Sequence, residues 1–125
     1  NALQYVGVSA IYNGPSNEFI YPDLMIKVRP SDQVLPEFLL LALQSKTVRR
    51  FFRENASGTS GSMPKINHGV LKRLKLRVPS IDEQKSIVDY STTLKSYTSQ
   101  LRIKILKSSE CSLALADSLL SEVVK

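Results

Sequence analysis

The spacing of apolar residues changes character along this chain. The first thirty residues carry short β-branched and aromatic runs. Tyr5 to Tyr12 (YVGVSAIY) predicts a strand. Asn13-Gly14-Pro15-Ser16-Asn17 predicts a turn, and Phe19-Ile20-Tyr21 resumes the apolar pattern. Pro22 and Asp23 break it before Leu24 to Val28, a further predicted strand ended by Arg29-Pro30-Ser31-Asp32.

Helical spacing then takes over. Pro36 suits a first helical turn, where its missing N–H is harmless. Glu37 favours the positive end of the helix dipole. Phe38, Leu39, Leu41, Ala42 and Leu43 predict a mostly buried short helix. The pattern falters at Ser45 to Thr47, and Val48 to Asn55 predicts a second helix. Val48, Phe51 and Phe52 lie on one face and Arg49, Arg50 and Arg53 largely on the other, which assigns the phenylalanines to the core. Ala56 to Pro64 is a loop of small residues. Asn67 is placed to cap a single turn through Leu71. Leu74, Leu76 and Val78 alternate with Lys75 and Arg77, predicting a half-buried strand with a basic outer face, closed by Pro79.

Ser80 and Glu83 form an S-x-x-E capping box, with Asp82 adding to the dipole interaction. A helix from there to about Val124 would measure roughly 65 Å. Its stripe of Ile87, Tyr90, Leu94, Tyr97 and Leu101 steps by three and four like a coiled-coil seam. It continues as Ile105, Ser109, Leu113, Ala116, Leu120 and Val123, with a register shift after Leu101. Such a seam calls for a partner helix, and this chain has no second long helix. The expected fold is therefore α+β. Residues 1–79 are read as a small mixed β-sheet and helix domain, and residues 80–125 as one long helix forming a coiled coil.

Composition narrows the function classes. At 125 residues, with 42% hydrophobic and 22% charged residues, the chain suits one domain with a modest core. No apolar run of about 18 residues is present to span a membrane. The N-terminus has no signal-peptide pattern and no initiator Met, and it starts in a predicted strand, so a fragment of a larger polypeptide is expected. A single cysteine, Cys111, rules out an intrachain disulfide or a Cys-based zinc site. It is read as a small buried hydrophobe in a reducing, cytoplasmic setting, with an intermolecular disulfide or a reactive thiol as the alternative.

The net charge of +6 is concentrated. Residues 46–77 hold Lys46, Arg49, Arg50, Arg53, Lys65, Lys72, Arg73, Lys75 and Arg77 against Glu54 alone, while bases and acids balance over 80–125. That concentration is the electrostatic footprint of a phosphate-binding surface, or else a solvated face without a partner. Gly58 and Gly61 leave room for a phosphate to approach the backbone and hydroxyls of Thr59, Ser60 and Ser62. The loop lacks the Lys-Ser/Thr of a P-loop. His68 and Cys111 lie too far apart in sequence and type of element to form a dyad, and no methyltransferase signature or acidic metal cluster is present. No cofactor is expected and no residue reads as catalytic.

The segment from Gly58-Thr59-Ser60-Gly61-Ser62 through Pro64-Lys65-Ile66-Asn67, Leu71, Leu76-Arg77-Val78-Pro79, Glu83-Gln84 and Ile87 resembles the specificity subunit of Type I restriction–modification enzymes. The upstream helices from Pro36 to Asn55 are similar to the segment preceding this loop in that family. The resemblance implies a non-catalytic DNA-recognition subunit in which paired long helices separate two recognition domains and dock methyltransferase and restriction subunits. It implies that this chain is the C-terminal part of one recognition domain plus one helix, able to pair with a second copy as an antiparallel homodimer. The nine basic residues, with Gly58, Thr59, Ser60, Ser62 and Asn67, are the expected contacts to double-stranded DNA. Two other readings stand beside it: an assembly protein with an incidental basic face, and an RNA-binding module using Gly58–Gly61 as a KH-like clamp.

Overall fold

The computed structural model describes residues 3–58 and 64–123. It divides into two compact units, residues 1–88 and 89–125. A short 3-10 turn, Leu3–Tyr5, is followed by α1 (Pro36–Gln44), α2 (Lys46–Glu54), α3 (His68–Arg73) and α4 (Ile81–Val123). The first unit contains everything up to the second turn of α4, and the second is the rest of that helix.

The expected α+β fold is not what the chain adopts: the described residues contain helices and no sheet. β pairing is confined to an isolated antiparallel bridge between Ser57 and Lys65, whose N–H and C=O groups exchange two 3.0 Å bonds. The reason is that alternation encodes a covered face, whereas a strand also needs a neighbour for its backbone. Leu74 and Leu76 are half-buried and Lys75 and Arg77 exposed, so the period of two survives along an extended segment that has no ladder partner. Leu24, Met25 and Val28 are exposed, and the segment bonds locally through Met25 N–H to the Pro22 carbonyl.

The predicted first strand is a turn for a more specific reason. Gly7 has φ +70, and a Cβ there would collide with Cδ2 and Cγ of Phe52. The chain bends closely over that ring and buries Val6 beside it. Val6, Val48, Phe52 and Val70 form the core, with Leu43, Phe51, Ala56, Ile66, Leu71, Leu74 and Leu76 packed around it. Burial of a side chain such as Phe52, only 1% exposed, stabilises by about 1.5–3 kcal/mol. In α1 only Phe38 is buried, and its leucines are half-buried.

The helix boundaries follow local chemistry. Ser45, in extended conformation, ends α1 and caps α2 by accepting from Val48 N–H at 3.3 Å. Asn67 Oδ1 accepts from Val70 N–H at 3.0 Å and starts α3, which runs two residues past the predicted turn. Ser80 and Glu83 close the capping box. Ser80 N–H and Oγ–H donate to Glu83 Oε2 at 2.9 and 2.8 Å, and Glu83 N–H donates back to Ser80 Oγ at 3.4 Å. The hydroxyl first, and then the backbone amide, hold the Glu83 carboxyl below its ordinary range.

Candidate nucleic-acid interface

The basic residues of 46–77 take three kinds of position. On α2, Val48 and Phe52 face the core, which turns Lys46 and Arg50 outward. Arg50 meets Glu54 at 3.8 Å with both side chains largely in water, a pair worth little and easily exchanged for another anion. Arg53 is half-buried. Lys65 and Lys72 are exposed, and Lys75 and Arg77 point away from the half-buried leucines of their segment.

Arg49 is different. Its Nη1 donates to the Val6 carbonyl at 2.6 Å and its Nη2 donates to the Gln4 carbonyl. The guanidinium therefore ties the N-terminal turn to α2, in line with its partial burial, and part of its donor capacity is spent inside the protein. Arg73 is also held: Nη2 donates to Asn55 Oδ1 at 3.2 Å, while Asn55 Nδ2 donates to the Phe51 carbonyl at 2.9 Å. Asn55 thus places the Arg73 cation at the C-terminal end of α2, where the helix dipole favours it. Asn67, expected at the interface, spends its Oδ1 as the α3 cap. His68 is exposed at the start of α3. Gly58 lies at φ +87, where the chain enters the loop. Thr59, Ser60, Gly61 and Ser62 lie outside the described residues.

The second unit presents a different surface. Tyr90, Leu94, Tyr97, Leu101, Ile105, Leu113, Ala116 and Leu120 are all exposed, and so is Cys111; Ile87, on the part of α4 that belongs to the first unit, is exposed as well. The sequence reading of a buried cysteine is corrected here: an apolar stripe is no cover unless something packs on it. At about 100° per residue, the line through Tyr90, Leu94 and Leu101 continues through Ser108, Ser112, Leu115 and Leu119. Leu113 and Leu120 lie about 120° and 100° around the helix from Leu101, on an adjoining flank with Leu106. Leu115 and Leu119, which the sequence pattern did not include, are exposed and lie on that same line. The side chain of Val123 lies outside those described.

Gln84, named in the sequence only as part of the family-like motif, has a role that the sequence did not show. It is fully buried, and the signal for it was indirect: α1 begins at Leu35-Pro36 with no Ser, Thr, Asp or Asn to cap it. Among the described residues no cluster of His, Cys, Asp and Glu could hold a metal ion, and no helix is long and apolar enough to cross a membrane.

Comparison with known proteins bears on the family. The model of the family described as "Type I restriction modification DNA specificity domain" matches residues 4–108. A protein named Type I restriction enzyme HindI specificity subunit, from Haemophilus influenzae, is 32% identical over 82 residues. That match takes in 66% of this chain but only 18% of the relative's length. No solved structure matches.

Proposed function

The chain belongs to the family of Type I restriction modification DNA specificity domains, and on that premise we propose that it is the part of a specificity subunit that holds double-stranded DNA by its phosphates and presents a helix for assembly. Residues 1–79 form the DNA-facing portion and residues 80–125 the assembly helix. The observation that carries the reading is the run of nine bases against one acid over 46–77, most of them exposed.

Lys46, Arg50, Arg53, Lys65, Lys72, Lys75 and Arg77 neutralise phosphates and release counterions, giving affinity and salt dependence without base choice. Arg49 and Asn67 hold the backbone beneath that surface, and Arg73, placed by Asn55, adds a fixed cation. Gly58, at φ +87, lets the backbone approach the sugar–phosphate chain, and Thr59, Ser60 and Ser62 are the hydroxyl contacts expected there. The role is binding and delivery: the chemistry of methylation and cleavage belongs to methyltransferase and restriction subunits that dock on the assembled helices. The uncovered stripe of α4 supports pairing with a second long helix, supplied by a second copy when this chain stands alone.

Fluorescence anisotropy with a labelled duplex over a salt series tests the reading. Arg50→Glu with Arg53→Glu is expected to weaken binding and lower the slope of log K against log salt by about 0.9 for each phosphate no longer neutralised. Unchanged affinity and slope would refute it. A preference for single-stranded RNA over the duplex would favour the clamp reading instead.

A further inference from the structure

Gln84 is the single buried polar residue among those described, at 0% exposure. Its side-chain amide joins three pieces of backbone. Oε1 accepts from Leu35 N–H at 2.8 Å, while Nε2 donates to the Gln33 carbonyl and to the Pro79 carbonyl, each at 2.9 Å. Two of these partners lie at the entrance to α1 and the third just before α4.

The entrance to α1 explains why this amide is needed. Leu35 occupies the N-cap position and provides no side-chain cap, and Pro36 follows it. In an ordinary capping box a Glu or Gln at the third helical position reaches back to the N-cap N–H. That position in α1 is Phe38, which is buried and has no acceptor. Gln84, from the first turn of α4, makes the missing bond from another helix. A buried backbone donor left unpaired is destabilising, so the contact ties the start of α1 to the start of α4.

The demand on the side chain is narrow: one acceptor and two donors at the reach of two methylenes. Glutamate offers no donor when ionised, methionine offers neither group, and asparagine is a methylene short. We propose that Gln84 is a positioning residue that fixes the first turn of α4 against α1 and so fixes the placement of the basic helix α2, which is joined to α1 through Ser45. The functional half of this inference rests on the DNA-binding reading, because a fixed α2 matters only if α2 faces the duplex.

The test labels the whole chain at Thr47→Cys and Lys85→Cys in a Cys111→Ser background and measures the spin–spin distance distribution, alongside duplex affinity and salt slope in the unlabelled chain. Gln84→Met is expected to broaden the distribution while circular dichroism keeps its helical signal, because the Ser80–Glu83 box is untouched. Duplex affinity is expected to fall several-fold at an unchanged salt slope, since the phosphate contacts remain but their placement is no longer fixed. A parental distribution in Gln84→Met overturns the inference, as does a broadened one with parental duplex affinity. If Gln84→Met fails to fold, Gln84→Asn, which keeps the amide but falls short of its partners, decides on the same criteria. A parent chain that binds no duplex would remove the DNA reading, and the label distances would still decide whether Gln84 fixes the two helix starts.

Discussion

Helices α2 and α4 carry the same kind of pattern and meet different fates. In α2 the stripe of Val48 and Phe52 is covered by Val6 and Val70, and exposure falls to 1% at Phe52. In α4 the stripe of Tyr90, Leu94 and Leu101 is open to water, with exposures of 68%, 45% and 57%. Amphipathicity is thus a statement of demand, and whether it is met depends on what else the chain can bring to that face. Where the demand is met within the chain, the polar side is free for ligand. Where it is unmet, the apolar side stays open to water, the condition under which a partner would be sought.

Substitutions separate the two cases. The largest effect is expected at the covered face: Phe52→Ala should destabilise the first unit by about 3–5 kcal/mol in urea unfolding, through lost transfer energy and a cavity beneath Gly7. On the open face, Leu94→Asp with Leu101→Asp should leave that unfolding transition nearly unchanged and alter assembly instead. Light scattering on the parent is expected to give about twice the 14.0 kDa chain mass, and on the double variant the chain mass alone. A parent that stays at the chain mass over a concentration series would mean that α4 does not pair with itself.

The smallest effect belongs to the start of α4. Ser80→Ala is expected to lower stability by roughly 1 kcal/mol, as for other helix caps removed by substitution. The capping box also has a pH signature. The Glu83 carboxyl is held below its ordinary range by the Ser80 hydroxyl and amide, so its contribution is fully present above the unfolded-state value. It is lost as pH falls through the lowered folded-state value. Helix signal during acid titration should therefore drop at a lower pH in the parent than Glu83 would titrate in an unfolded chain, and Ser80→Ala should move that step upward.

Much of the helical framework was legible in the residues. The break at Ser45, the Asn67 cap and the Ser80–Glu83 box are local signals, satisfied by atoms within four residues. Pro36 marks the start of α1 locally, but the Leu35 N–H there is met by Gln84. The basic run over 46–77 was equally legible, because charge sums do not depend on folding. The sheet was not. Leu24 to Val28 and Leu74 to Val78 have the composition and period of strands, and the backbone partners that would make them strands are absent from the described residues. The interface reading was legible in residue type and incomplete in role. Arg49 reads as one more phosphate contact, and only its distance to the Val6 carbonyl reveals a guanidinium fastened to the N-terminal turn.

The sequence by itself determined which segments are helical, the caps at Ser45, Asn67 and Ser80, the basic middle and the long apolar stripe, because each depends on neighbours along the chain. The boundaries moved, α2 starting at Lys46 where Val48 was expected and α3 ending at Arg73 where Leu71 was. The tertiary structure alone decided that Gly7 lies over Phe52, that Arg49 points inward, that Asn55 places Arg73, and that Gln84 caps a helix 49 residues away. Those contacts join residues distant in sequence through donors and acceptors that are generic in type. Which donor meets which acceptor is settled only when burial removes water as the alternative partner.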